Sequence, residues 1–102
     1  MHPSLAISVS LIEIDSSFNI IDIRQSEDFK ELHINGAMNL IDPESILDLA
    51  LKNPESKFLL HCYHGYTASI YGNFLVENGA KNIYYFDGNF EDIYEGLNKQ
   101  NS

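Results

Sequence analysis

Four short apolar runs, at residues 19–23, 36–40, 57–61 and 82–87, alternate with stretches whose apolar residues recur at helical spacing. No other feature restricts the fold as strongly. Strands separated by helix-length segments pair through crossovers, and a crossover through a helix makes the pairing parallel. A parallel sheet is covered on both faces, so its strands read as continuous apolar runs, as in "NIIDI" and "KFLLH". The expectation is an α/β domain with helices on both faces. At 102 residues it is a single domain over 1–102.

The punctuation between the runs supports this reading. After residues 19–23, Ser26 is placed to cap a short helix with Glu27 and Asp28 in its first turn, where the helix dipole favours acids. Asp42 is a predicted N-cap followed by Pro43 at the first helical position. Ile46, Leu47, Ala50 and Leu51 then form an apolar stripe. Thr67 is placed to cap the next helix, with Ala68, Tyr71, Phe74 and Leu75 at helical spacing and Asn78–Gly79 as its stop. The segment "GNFEDIYEGLNK" predicts a closing amphipathic helix. The N-terminal "AISVSLIEI" fits a short edge strand, with Ser8 or Ser10 capping a helical turn.

Charge narrows the function classes. Six Lys and Arg oppose 15 Asp and Glu, a formal net charge of −9, which is no footprint for nucleic acid or for an anionic membrane surface. No stretch approaches the roughly 20 apolar residues of a membrane span, and the first residues lack the basic segment of a secretory signal. One cysteine forms no internal disulfide, which points to a reducing compartment and a cytoplasmic protein.

That cysteine, Cys62, falls where the third strand run ends, in "LHCYHGYTAS". Ligands of parallel α/β sheets sit beyond the carboxyl ends of the strands. A strand ends here, a tight loop turns and a helix begins. Gly65 admits a backbone angle that a side chain resists. Successive N–H groups can then converge, and the helix N-terminus adds partial positive charge. Such a cradle favours a thiolate, which is the nucleophilic form of cysteine. His64, Thr67 and Ser69 are further candidate donors. Thr67 also reads as a cap alone, Ser69 as a solvated helix residue, and His64 as an exposed polar residue. Tyr63 and Tyr66 either shape the mouth or cover apolar surface. His61 reads as a structural histidine at the end of a buried strand. Two other readings of Cys62 stand beside the nucleophile. One is a small core residue, since free cysteine is often buried. The other is a metal ligand with His61, His64 or His33. However, strand neighbours point to opposite faces, and no CxxC or HxxxH spacing is present.

Several of these segments together resemble the rhodanese-like domain family. "IIDIRQSEDFKELHINGAMNL" is similar to its first half, where a strand ends in Asp-x-Arg and a His-containing segment leads to Gly-Ala-x-Asn. "LLHCYHGYTAS" resembles its active-site loop, and the Cys-Tyr-His-Gly run is similar to single-domain bacterial thiosulfate sulfurtransferases. "IYYFDGNFEDIYEGL" resembles the closing strand and helix. The ordered similarity runs from Ile20 to Leu97.

The resemblance implies a five-stranded parallel sheet flanked by helices and an enzyme of the thiosulfate sulfurtransferase type. Cys62 takes sulfane sulfur from thiosulfate, a polysulfide or a protein persulfide. The persulfide is held by the backbone N–H groups of Tyr63, His64, Gly65, Tyr66 and Thr67. Sulfur then passes to cyanide or to a thiol, including a protein thiol. The resemblance implies no cofactor, no metal, no nucleic acid and no membrane. Asp22 and Arg24 match the family's Asp-x-Arg and carry over as a supporting charge pair near the mouth, with a direct substrate role for Arg24 as the alternative. Ser69 carries over as a supporting residue, and His33 as structural.

This chain departs from the family in its loop. Residues 63–69 contain no Arg or Lys, which leaves His64 as the one candidate cation there. Leu32 stands where the family has Gly, Asn35 where it has Pro, and Tyr94 near where it has Trp. A phosphatase loop of the same fold needs Arg at the sixth position after the cysteine, because the guanidinium fork binds phosphate twice. That position is Ala68. The remaining alternative is a catalytically weak binding module that recognises a partner protein through the acidic surface.

Overall fold

The computed structural model describes residues 1–100, with side chains described to residue 97, so the last two residues of the predicted domain lie outside the description. In chain order the elements are β1 (Ile7–Ser8), a 3-10 turn (Leu11–Glu13), β2 (Phe18–Asp22), α1 (Ser26–Glu31), β3 (Met38–Asn39), α2 (Pro43–Lys52), β4 (Lys57–His61), α3 (Tyr66–Glu77), β5 (Ile83–Tyr85) and α4 (Phe90–Gln100). The sheet has five strands in the order β1-β5-β4-β2-β3, and every pairing is parallel.

From β2 the chain moves outward to β3, then returns to place β4 on the other side of β2. The loops after β2 and β4 therefore leave the sheet at the point where the strand order reverses. That crevice is the usual ligand site of such sheets. The register there is Ile21 against Leu60 and Asp22 against His61, which sets the end of β2 beside the end of β4.

Alternation along β4 divides the core. Phe58, Leu60 and Cys62 join Ile21, Ile23, Ile46, Ala50, Ala68 and Leu75 on the side of α2 and α3. Leu59 joins Ile34, Phe86, Phe90, Ile93 and Leu97 on the side of α4. Burial of each large aliphatic side chain contributes roughly 1.5–3 kcal/mol. His61 follows Leu59 to the second side, where its ring stacks on Phe90 with centroids 5.7 Å apart. His61 and Cys62 thus face opposite sides of the sheet, as strand geometry requires.

The edges of the elements differ from the sequence expectation in physically clear ways. Ser26 is the first residue of α1 and not its cap; Gln25 occupies the cap position without a side-chain bond. Thr67 is not the cap of α3 either, since the helix begins one residue earlier, at Tyr66, with Gly65 at the cap in the left-handed region, φ 96°. Leu51 is half exposed, so the α2 stripe narrows to Ile46 and Ala50 with Leu47 at its edge. The runs at 36–40 and 82–87 shrink to two- and three-residue strands. Asp42 does cap α2, accepting from Glu44 N–H, with Pro43 following. At the N-terminus both expected features form. Residues 7–8 are the edge strand, and Ser10 and Glu13 make a reciprocal capping box on the 3-10 turn.

Candidate active site

Cys62 follows the last residue of β4 and is buried, with 3% of its surface exposed. Gly65 N–H donates to its Sγ at 3.1 Å and Ala68 N–H at 3.4 Å. Two backbone donors thus converge on one sulfur. The loop reaches this geometry because Gly65 turns with a positive φ, and α3 starts immediately behind it. A Cβ at Gly65 would stand 2.5 Å from Asp87 Oδ1, 3.0 Å from Asp87 Cα and 3.1 Å from Gly88 N. The loop therefore has a wall at its back, formed by the segment between β5 and α4. The second donor, Ala68, lies just outside the 63–67 stretch expected to supply the cradle.

None of the expected side-chain donors bonds the Cys62 sulfur. Ser69 is buried and its hydroxyl donates to Tyr66 C=O at 2.6 Å, so it stabilises the first turn of α3. Thr67 is exposed. His64 is exposed, and its Nδ1 lies 2.9 Å from Asn89 Oδ1, tying the loop to the start of α4. Tyr63 accepts from Gln25 N–H through its hydroxyl at 3.2 Å and donates the hydroxyl proton to Asp28. That bond to the carboxylate raises the Tyr63 pKa, with burial adding to it and the Gln25 bond opposing. Tyr63 C=O accepts from Phe90 N–H at 2.9 Å. Tyr66 is exposed and meets the His2 ring edge-on at 5.6 Å.

Asp22 and Arg24 form a buried pair. Arg24 Nε lies 3.1 and 3.2 Å from the two Asp22 oxygens, and Nη2 donates to Oδ2 at 2.8 Å and to Leu32 C=O at 2.6 Å. The guanidinium lies 3.6 Å from the centre of the Phe90 ring. Asn39 donates to both Asp22 C=O and Arg24 C=O, at 2.9 and 3.0 Å. This web braces the loops after β2 and α1 beneath α4. It holds the guanidinium through Nε and Nη2.

His61 is fully buried, and neither ring nitrogen has a hydrogen-bond partner. Its Nε2 stands 3.6 Å from Asp22 Oδ2, too far for a bond. Burial lowers its pKa to about 4, outweighing the attraction of Asp22 for a proton. The residue is a neutral imidazole between the charge pair and Phe90. His33 is tied to α1, with Nδ1 2.7 Å from Phe29 C=O and its ring stacked on Phe29 at 3.9 Å. Among the described residues no group of three or more His, Cys, Asp or Glu side chains is arranged to hold a metal ion.

Sequence reasoning missed three residues of this region. Asn89 holds His64, Asp87 backs Gly65, and His2 holds Asp87 through its backbone N–H (2.7 Å) and Nδ1 (2.8 Å). The apolar run 82–87 and the closing helix segment divide "DGNF" between them, and nothing local tells which loop it meets. Asn39 falls in the Gly-Ala-x-Asn run, and its amide bonds to Asp22 and Arg24 C=O become apparent only in the fold.

The chain thus presents a parallel α/β sheet with a buried cysteine beyond a strand end and two backbone N–H groups aimed at its sulfur. The chain belongs to the Rhodanese-like domain family, whose sequence model matches residues 9–95. It is 30% identical to a thiosulfate sulfurtransferase GlpE of Shewanella oneidensis over 79 residues, 78% of each chain. It is 36% identical to that of Pseudomonas putida over 73 residues, 71% of this chain and 66% of the relative. The solution structure of protein hp1203 from Helicobacter pylori superposes with a TM-score of 0.76 at 29% identity, covering 87% of this chain and 83% of that one.

Proposed function

We propose that this domain is a sulfurtransferase that carries sulfane sulfur as a persulfide on Cys62. The observation that carries the reading is the pair of N–H donors, from Gly65 and Ala68, aimed at Sγ of a buried cysteine. The Cys62 thiolate attacks the outer sulfur of a donor such as thiosulfate. A Cys62–sulfur bond forms, the donor's sulfur–sulfur bond breaks, and sulfite leaves with the electron pair. The persulfide anion keeps the charge that the thiolate held, so the same cradle serves both forms. A thiol or cyanide then attacks the outer sulfur and restores the thiolate. Two half-reactions on one nucleophile give ping-pong kinetics. The work is done in the cytoplasm by the single domain, with a polysulfide or protein persulfide as further donors and a protein thiol among the acceptors. His64 and Thr67 border the cradle, while Asp22, Arg24 and Ser69 hold its frame.

Intact-protein mass after incubation with thiosulfate, or with a polysulfide, tests the reading. A gain of one sulfur atom is expected, lost on adding cyanide and absent in Cys62→Ser. No gain with either donor would overturn it and leave a partner-binding module.

A further inference from the structure

The wall behind Gly65 is a carboxylate. Asp87 Oδ1 stands 2.5 Å from where a Gly65 Cβ would be, and Gly65 N–H is 3.1 Å from the Cys62 sulfur. One residue therefore separates a fixed negative charge from the reacting atom. The carboxylate is well shielded, with 12% of its side chain exposed. His2 holds both of its oxygens, and Tyr85 in turn donates its hydroxyl proton to His2 C=O at 2.7 Å. Burial acts to raise the Asp87 pKa, but the two His2 bonds, together with the attraction of His2 and the amino-terminal ammonium, outweigh it and hold the carboxyl below its usual range.

The cations that attract Asp87 are the amino terminus and His2, and neither belongs to the loop around Cys62. Residues 63–69 contain no Lys or Arg, and Arg24 is committed to Asp22 and Leu32 C=O. Lys52, Lys57 and Lys81 lie toward the opposite end of the sheet, and Lys30 is exposed on α1. The cradle thus has enough backbone donors for one negative sulfur and a carboxylate against any second charge.

We propose that Asp87 is a specificity-determining residue of this site, which sets it against doubly charged sulfur donors and in favour of singly charged or neutral ones. This rests on the reading of Cys62 as a sulfur carrier. The repulsion acts through space and grows with donor charge, while the chemistry at sulfur stays the same.

Thiosulfate and methanethiosulfonate form a matched pair of probes. Each delivers one sulfane sulfur to the thiolate, and they leave as sulfite and methanesulfinate. They carry two negative charges and one. In Asp87→Asn the ratio of kcat/KM for thiosulfate to that for methanethiosulfonate is expected to rise roughly fivefold at low ionic strength, with a smaller rise at high salt. Asp87→Glu, which keeps the charge, is expected to stay near the wild-type ratio. In wild type the ratio is expected to rise with salt, a measurement that needs no variant to fold. An unchanged ratio in Asp87→Asn, an equal rise in Asp87→Glu, or a wild-type ratio that falls with salt would each overturn the proposal. Failure of both donors to load wild-type Cys62 would remove the sulfur-carrier reading and this one with it, and is distinct from a ratio that does not move.

Discussion

The two ends of the sheet solve the same problems in opposite ways. Each end has a glycine with positive φ and a buried polar side chain. At the amino end Gly36, before β3, has φ 85° and no atom within 4 Å of where its Cβ would lie. Asn82, before β5, donates its amide to Ala50, Asn53 and Ser56 C=O at 3.3, 2.9 and 2.8 Å. At the carboxyl end Gly65 is pressed against Asp87 and Gly88, and His61 has no partner at all. The amino end is built for satisfaction, with every strong bond closed on the fold itself. The carboxyl end leaves N–H groups aimed at a sulfur and a buried ring unpaired, a cost in stability where chemistry is placed.

Alanine at the two glycines breaks the comparison most sharply. Gly65→Ala meets both the backbone penalty and contacts with backbone atoms that cannot swing away, so it is expected to cost about 3 kcal/mol or more. It should also displace the Sγ donors, with sulfur loading of Cys62 falling by roughly two orders of magnitude. Gly36→Ala meets the φ penalty alone, about 1 kcal/mol, with loading retained. Denaturant midpoints and single-turnover loading measure both. Similar losses in the two variants would mean that the crowding at Gly65 carries no function.

The buried pair sharpens it next. The folded state keeps His61 neutral down to about pH 4, whereas the unfolded chain takes up the proton near 6.5. Between those values the unfolded state binds more protons, so stability is lost as pH falls through that window, by roughly 3 kcal/mol in all. His61→Leu should remove that share of the slope between pH 7 and pH 5, read from urea midpoints at the two values. An equal slope in wild type and variant would assign the acid sensitivity to other groups.

A smaller effect than at Gly65 or His61 is expected from Asn82→Ala. It removes three amide bonds and leaves three carbonyls to find water, at a cost of about 2 kcal/mol independent of pH. Loading of Cys62 should be unchanged within error, because the residue lies at the far end of the sheet. A loss of loading with the fold intact would show that the two ends are coupled.

Much of this was visible in the linear chain. The apolar runs near 19–23 and 57–61, the Asp42–Pro43 helix start and the Asn78–Gly79 stop each rest on interactions within a few residues. So does the strand-to-helix turn at Cys62. Periodicity and capping are local, and local physics suffices for them. Two cap assignments failed for a related reason. Ser26 and Thr67 are good caps in isolation, but the cap of α3 went to Gly65, whose conformation the Asp87–Gly88 wall and the cysteine impose from outside the segment.

The sequence by itself determined the α/β class, the place of Cys62 at a strand end and the absence of Lys and Arg from its loop, because these follow from residue type and order. Only the tertiary structure decided what stands around that loop. Parallel pairing brings residues 21, 60 and 85 side by side across long separations, and it sets Asp87, held by His2 from the other end of the chain, against Gly65. A carboxylate's effect on a sulfur depends on distance and shielding, and neither is a property of sequence until the chain has closed on itself.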